Sequence, residues 1–331
     1  MTLHLHGLGH FHPENEISNR FLEELEIGTS DEWILDRVGI RSRRTVLSLD
    51  YIRETRNRDI RAAAEAAQYT TSQLSARAAE VAIARAGIDR SAIGLVLSGS
   101  SAADSQCPAD AAWLARHLGL EVPAFDVNSA CTSFLTELHL LSMLDPNKLP
   151  DFVLVAGVDA VTRTCDYDDR SSAVLWGDGA TAAVISTRIS GRARILGTHL
   201  EASPAGCDKV VIPRSGYFHQ EGKTVQAFAI KKTARMLEEL RERFEIPGRR
   251  FHFVGHQANL RMLESVCRRC EIPEDRHHSN VEWFGNTGAA SSGSVVSMNW
   301  EKWTTQDDVA VCGVGGGLAW ARYLIRFGEP G

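Results

Sequence analysis

Short apolar segments alternate with amphipathic ones along this chain, and the alternation runs through twice. On the first pass, 93–97 reads as a buried strand, 108–118 as a helix ended by Gly119, and 124–127 as a second strand. A helix over 132–144 follows, with Phe134, Leu138, Leu141 and Leu144 roughly on one face, and then a strand over 152–158. The second pass gives strands at 251–254 and 278–282 and helices at 259–270 and 289–301. It closes with a hairpin of 309–312 and 318–326 around the glycine-rich turn 313–317. A unit on the order of 100 residues that occurs twice excludes a short-period solenoid. The expectation is an α/β fold of two related halves, 1–187 and 188–331, the second core beginning with a charged helix over 226–244.

The remaining elements are read from local signals. A first strand over 2–8 is closed by Gly7, Gly9 and Pro13, and a polar helix covers 18–25. Thr29-Ser30-Asp31-Glu32-Trp33 opens another helix, with a hydroxyl cap and acids in its first turn. Residues 45–72 are charged and alanine-rich, and 71–86 is a clearer helix ending at Gly87. The segments 173–176 and 180–186 flank Gly177-Asp178-Gly179 as a hairpin.

Composition narrows the function classes. At 44% hydrophobic and 24% charged over 331 residues, the chain is not disordered. Its longest apolar run, 152–158, is far too short to cross a bilayer, so no membrane partner is expected. A formal charge of −6 argues against nucleic acid as the main partner. The start of the chain lacks the basic and apolar stretches of a secretory signal. The seven cysteines, odd in number and scattered, read as reduced thiols in a cytoplasm, with room for one that reacts.

Cys131 is the cysteine to weigh. It follows the strand at 124–127 and opens the helix from Thr132, where aligned N–H groups favour thiolate over thiol. Position alone leaves an inert buried cysteine open. Two motifs of the second half add to it. Gly255-His256-Gln257-Ala258-Asn259 follows one strand, and Gly285-Asn286-Thr287-Gly288 follows the next. In paired α/β halves these three residues project from corresponding strand ends, where ligands collect.

The ordered set resembles a family. Trp33, Arg37 with Gly39-Ile40-Arg41, Ala130-Cys131, Gly177-Asp178-Gly179-Ala180, Gly255-His256-Gln257-Ala258-Asn259-Leu260-Arg261, Gly285-Asn286-Thr287 and Gly315-Gly316-Gly317 occur in sequence. Together they are similar to the motifs of the β-ketoacyl-acyl-carrier-protein synthase III family. The resemblance implies the thiolase fold, two pseudo-symmetric halves in five αβαβα layers. It implies a Cys131–His256–Asn286 triad, with the N–H groups of Cys131 and Gly316 as an oxyanion hole. It also implies Trp33, Arg37 and Arg261 as contacts to coenzyme A, and Arg268 and Arg269 as a patch for acidic acyl carrier protein. The substrates would be thioesters of coenzyme A or the carrier, condensed with malonyl or β-ketoacyl thioesters by a cytoplasmic homodimer without a metal or other cofactor.

Three departures stand out. Thr132-Ser133 replaces small apolar residues, either altering the acyl pocket or capping the helix. Cys107-Pro108 stands where the family places Phe-Pro, an aromatic donated across the dimer, so Cys107 reads as a wider gate to the acyl pocket. Residues 45–72 exceed the family's minimal pattern, adding a helix beside the substrate entrance. All three point to a specialised secondary-metabolism relative. A ketosynthase that joins and cyclises two β-ketoacyl units, a non-decarboxylating acyltransferase and a catalytically silent partner subunit remain alternatives. Thiolase needs a second cysteine immediately before the terminal glycines, and Gly313-Val314 set Cys312 off from that place.

Other signals read as structural. Cys267 and Cys270 have half-site spacing but lie in one helix with no second pair. His4, His6, His10 and His12 read as an exposed edge strand, and Glu137 and His139 as ordinary polar helix positions.

Overall fold

Leucine and histidine alternate through Leu3-His4-Leu5-His6, and the leucine side faces an apolar core. This first strand, β1 (Leu3–Phe11), is not an edge. It pairs antiparallel on one side with residues 180–186 and on the other with 193–195. The expected exposed edge row of histidines is therefore corrected: His4, His6, His10 and His12 are half-buried, and His12, at the end of that row, stacks on Phe284. The computed structural model describes residues 2–328; Met1 and residues 329–331, the outer ends of the two expected halves, lie outside the described residues.

Eight further strands complete the main sheet: β2 (Ile93–Gly99), β3 (Ala124–Asp126), β4 (Phe152–Asp159), β5 (Gly179–Ser186), β6 (Ala193–Ala202), β7 (Arg250–Gly255), β8 (Asp307–Gly315) and β9 (Ala319–Phe327). Their order is β7-β8-β9-β6-β1-β5-β4-β2-β3. The first-half run β3-β2-β4-β5-β1 recurs in the second as β7-β8-β9-β6, with matching directions. The place of β3 is held there by one parallel bridge from Phe253 to His277.

Six helices layer this sheet. On the outer side of the first half lie α1 (Thr71–Ala86) and α2 (Asp110–His117); on that of the second lie α4 (Gly222–Phe244) and α5 (Leu260–Arg269). Between the halves run α3 (Ser133–Met143) and α6 (Ser291–Met298), each touching strands of both. Their shared core holds Leu3, Leu97, Phe134, Leu138, Val295 and Val309. At about 1.5–3 kcal/mol for each large side chain buried, this double-sided cluster fixes both helices. The result is the expected αβαβα arrangement.

Several local expectations are corrected. Gly7 and Gly9 do not end the first strand. A Cβ at either would stand about 2 Å from a carbonyl of α1 (2.1 Å from Ala82 O and 2.0 Å from Ala78 O), so they form the groove in which α1 lies. The motif Gly177-Asp178-Gly179 is no hairpin, because Arg170–Ala173 before it is helical. Asp178 is buried and accepts from the N–H groups of Val46 and Thr162 at 2.8 and 3.0 Å. The strand expected at 278–282 is absent; Val281–Phe284 is a helical turn. Gly313 to Gly315 belong to β8 rather than to the turn. Residues 45–72 hold two helices, Leu49–Thr55 and Ile60–Ala66. Neither lines the central cavity, and Arg58 between them pairs with Asp168 at 3.2 Å.

Candidate active site

The turn that carries Cys131 is built from short polar braces. Ala130 has φ +49°, a left-handed conformation that costs an alanine of order 1 kcal/mol. Ser133 Oγ holds it there, accepting from Ser129 N at 2.9 Å and donating to Ala130 O at 2.7 Å. Thr132 Oγ1 donates to Ser129 O at 2.7 Å. The unusual Thr132-Ser133 pair thus stiffens the turn, and Thr132 makes no cap bond to the helix.

Cys131 sits in the single turn Ala130–Thr132 ahead of α3, not on the first turn of the helix itself. Its thiol is surrounded by protein and opens on the cavity. Burial, aided by the nearby charge of Asp159, pushes its pKa up to about 12. The expected resting thiolate is therefore corrected to a thiol, because desolvation outweighs the aligned amides. The end of β8 backs this turn. A Cβ on Gly315 would stand 3.1 Å from Cys131 N and Thr132 N, so any side chain there would press on this turn. Gly316, the next residue, shares the cavity wall with Cys131.

His256 follows β7, and its N–H donates to Cys312 O at 2.8 Å. Burial lowers its pKa to about 4, so the ring is neutral at pH 7. Ring atom Nδ1 lies 2.7 Å from Ser291 Oγ. Asn286 is anchored on both sides, its N–H donating to Leu175 O at 2.8 Å and its carbonyl accepting from Gly177 N at 3.0 Å. Its Oδ1 accepts from Gly288 N at 3.0 Å, which identifies Nδ2 as the free end of the amide. Cys131, His256 and Asn286 line one cavity between the two halves of the sheet. The Gly288–Ala289 turn beside Asn286 is tied to the first half by Asp159, which accepts from Ala289 N and Ser101 N at 2.8 and 2.7 Å.

The other residues singled out in the sequence fall in different places. Trp33 lines the cavity, on a helix (Asp31–Arg37) capped by Ser30 as expected. Arg37 is exposed, away from the cavity lining. Arg261 is committed to the end of the Trp33 helix, donating to Leu35 O and Asp36 O at 2.7 and 3.2 Å and pairing with Glu264. Arg268 and Arg269 are exposed at the C-terminal end of α5. Cys107 is exposed and outside its own chain's cavity. Cys312 is buried, away from the cavity, so it offers no thiolase-like base. Cys267 and Cys270 stay within and just after α5, and among the described residues no three His, Cys, Asp or Glu side chains gather to hold a metal ion.

Sequence reading missed four groups. Arg170 lines the cavity with its guanidinium 4.8 Å over the Trp33 ring; the acid-rich run Asp166 to Asp169 ending in arginine was its one signal. Ser291 had none beyond a place in a small-residue run. The wall formed by Val210, Val225 and Ala229 lacked any motif. Glu137, read as an ordinary helix position, is fully buried with both carboxyl oxygens unpartnered, and burial raises its pKa well above the usual range.

A cysteine facing a histidine and an asparagine between two repeated sheet halves is the arrangement of a thiolase-fold condensing enzyme, an acyltransferase. Residues 125–204 match the family 3-oxoacyl-[acyl-carrier-protein] synthase III, and 251–327 match its C-terminal part. The chain is 31% identical over 335 residues to the β-ketoacyl-[acyl-carrier-protein] synthase III of Coxiella burnetii (strain RSA 331 / Henzerling II), covering 97% of this chain and 98% of that protein. The 3-oxoacyl-(acyl carrier protein) synthase III structure from Pseudomonas aeruginosa PAO1 superposes with a TM-score of 0.84 at 30% identity, over 99% of this chain and 98% of that one. The Aquifex aeolicus VF5 synthase III gives 0.86 at 26%, over 98% and 100%. The chain belongs to the β-ketoacyl-acyl-carrier-protein synthase III family. Among the described residues no helix is long and apolar enough to cross a membrane.

Proposed function

We propose that this enzyme carries acyl groups on Cys131 and condenses them, with loss of carbon dioxide, onto a malonyl or β-ketoacyl thioester. The 1–187 half supplies the nucleophile, and 188–331 supplies His256 and Asn286. Cys131 sulfur attacks the thioester carbonyl of an acyl-coenzyme A or acyl-carrier thioester. The carbon–sulfur bond to the carrier breaks, and the carrier thiol leaves with the proton that Cys131 gives up. The N–H groups of Cys131 and Gly316 hold the intermediate oxyanion. The second thioester then loses carbon dioxide, and the electron pair of the broken bond becomes an enolate. His256 and Asn286 donate to its oxygen, and its carbon displaces Cys131 as thiolate.

The observation that carries this reading is the pair of neutral donors. Asn286 Oδ1 is occupied by Gly288 N–H, so Nδ2 faces the cavity, and His256 is uncharged. Trp33 and Arg170 form the stacking site for the adenine of coenzyme A, while Arg37 and Arg261, outside the cavity lining, are its charged partners. The exposed Arg268 and Arg269 meet an acidic acyl carrier protein. Cys107, exposed and outside its own cavity, suits a side chain given to the acyl pocket of a second copy, where it leaves room for longer chains than a phenylalanine would.

Incubation with a panel of acyl thioesters, read by intact-protein mass, should give one acyl adduct that is absent in Cys131→Ala. His256→Ala should still acylate and fail to condense. An adduct that persists in Cys131→Ala removes the nucleophile assignment.

A further inference from the structure

The donor role given to His256 makes a demand on its ring that the structure meets through a residue with no role assigned so far. A neutral imidazole carries its proton on one nitrogen only, and only the Nε2–H form can donate into the cavity. We propose that Ser291 is a positioning residue that holds His256 in this form by donating its hydroxyl proton to Nδ1. The inference rests on the decarboxylating reading above and deepens it.

The direction of the 2.7 Å contact between Ser291 Oγ and His256 Nδ1 follows from what else surrounds the hydroxyl. Gln257 N–H points at the same oxygen from 3.4 Å and can only donate. Among the described residues Ser291 Oγ makes no other hydrogen bond, so its own proton is free for Nδ1. An Nδ1 that accepts leaves the ring proton on Nε2, which makes no hydrogen bond to the described residues. The supporting frame is rigid. Gln257 is fully buried, donates from Nε2 to Gly255 O at 2.7 Å, and accepts at Oε1 from Asn280 N and Val281 N at 3.0 and 3.3 Å. Ser291 is 1% exposed and opens α6, and its carbonyl takes a bond from Ser294 Oγ at 2.8 Å. Water has no easy access to replace the hydroxyl, because His256 itself is 7% exposed. One helix start thereby orients both donors: the Gly288–Ala290 turn at its head turns the Asn286 amide through Gly288 N–H, and its first residue sets the histidine.

Nitrogen-15 NMR of histidine-labelled protein near neutral pH tests this directly, with His256→Asn identifying the two ring signals among the twelve histidines. The expected spectrum has a protonated Nε2 and an unprotonated, hydrogen-bonded Nδ1. In Ser291→Ala both signals should move toward averaged positions. Turnover of a malonyl thioester should fall about tenfold to a hundredfold in kcat with KM unchanged, and acylation of Cys131 should stay near its native rate. Ser291→Thr, which keeps the hydroxyl, should restore the native spectrum and most of kcat. A native Nδ1 that carries the proton overturns the proposal. So does a Ser291→Ala protein whose ring signals and kcat do not change. If the native enzyme releases no carbon dioxide from malonyl thioesters, the decarboxylating reading fails instead, and the spectrum still decides the proton's place on its own.

Discussion

Replacing Asn286 by aspartate separates donation from shape, since the two side chains are nearly isosteric and only the amide donates when the acid is ionised. In the native chain Oδ1 takes the Gly288 N–H at 3.0 Å and leaves Nδ2 free, the group that the proposed function assigns to the enolate. In Asn286→Asp one carboxylate oxygen inherits that bond and the other faces the cavity. Losing one such donor costs about 2.7–4 kcal/mol. A negative charge roughly 4 Å from the enolate adds about 4 kcal/mol of repulsion at an effective dielectric of about 20. The sum of roughly 7–8 kcal/mol slows decarboxylation by about 10⁵-fold or more. Asn286→Ala loses only the first part, about a hundredfold to a thousandfold. The order at about pH 8 is therefore native, then alanine, then aspartate. Burial of this site raises the pKa of the introduced carboxyl, and its protonated form donates again. The aspartate variant should regain rate as the pH falls, while the alanine variant does not. Release of labelled carbon dioxide from a malonyl thioester between about pH 5.5 and 8.5 measures this, with acylation of Cys131 as the control. An aspartate variant faster than the alanine variant at the alkaline end, or one without relative recovery at the acid end, refutes the reasoning.

Other consequences are simpler. With the Cys131 pKa pushed up to about 12, alkylation by iodoacetamide should climb about tenfold per pH unit from pH 7 to 10 without levelling; a plateau near about 8.5, the free-cysteine value, contradicts it. Arg170→Ala should raise KM for coenzyme A thioesters about twofold to thirtyfold at constant kcat, the loss expected of one cation–π contact, and leave carrier-protein thioesters unaffected. Glu137 remains protonated in the fold above the pH of about 4.3 at which the unfolded chain ionises, so its contribution is complete below that pH and declines at about 1.4 kcal/mol per unit above it, up to its raised folded pKa. Glu137→Gln should flatten the fall in melting temperature from about pH 5 to 7, and parallel pH curves for the two proteins would speak against a neutral carboxyl.

The strand and helix repeat was legible because each core segment carries its own period, and Ser30 and Gly87 mark their helix ends as local chemistry requires. The same local signals misled wherever a partner distant in sequence decided the outcome. Gly177-Asp178-Gly179 has the composition of a turn, yet the Asp178 carboxylate is spent on Val46 and Thr162, which no window around it reveals. Val281 reads as strand, but Asn280 lies against Gln257 and Gly285 turns at φ +68°, so the chain coils there. Cys131, His256 and Asn286 were singled out through their order along the chain, and the fold brings all three to one cavity. Arg170 and Ser291 act through spatial neighbours at 33 and 256, and spacing encodes neither pairing.

The central position of β1 has a consequence for how the chain is made. Its neighbours, β5 and β6, begin at residues 179 and 193, so both of its edges stay unpaired while most of the first half is synthesised. At ribosomal rates of about 5–20 residues per second, that interval is roughly 10–40 s. An open strand is a template for another nascent chain during that time. Alternating histidine with leucine, and leaving two glycines bare for α1, gives the waiting segment one face too polar and too uneven to stack on a copy of itself.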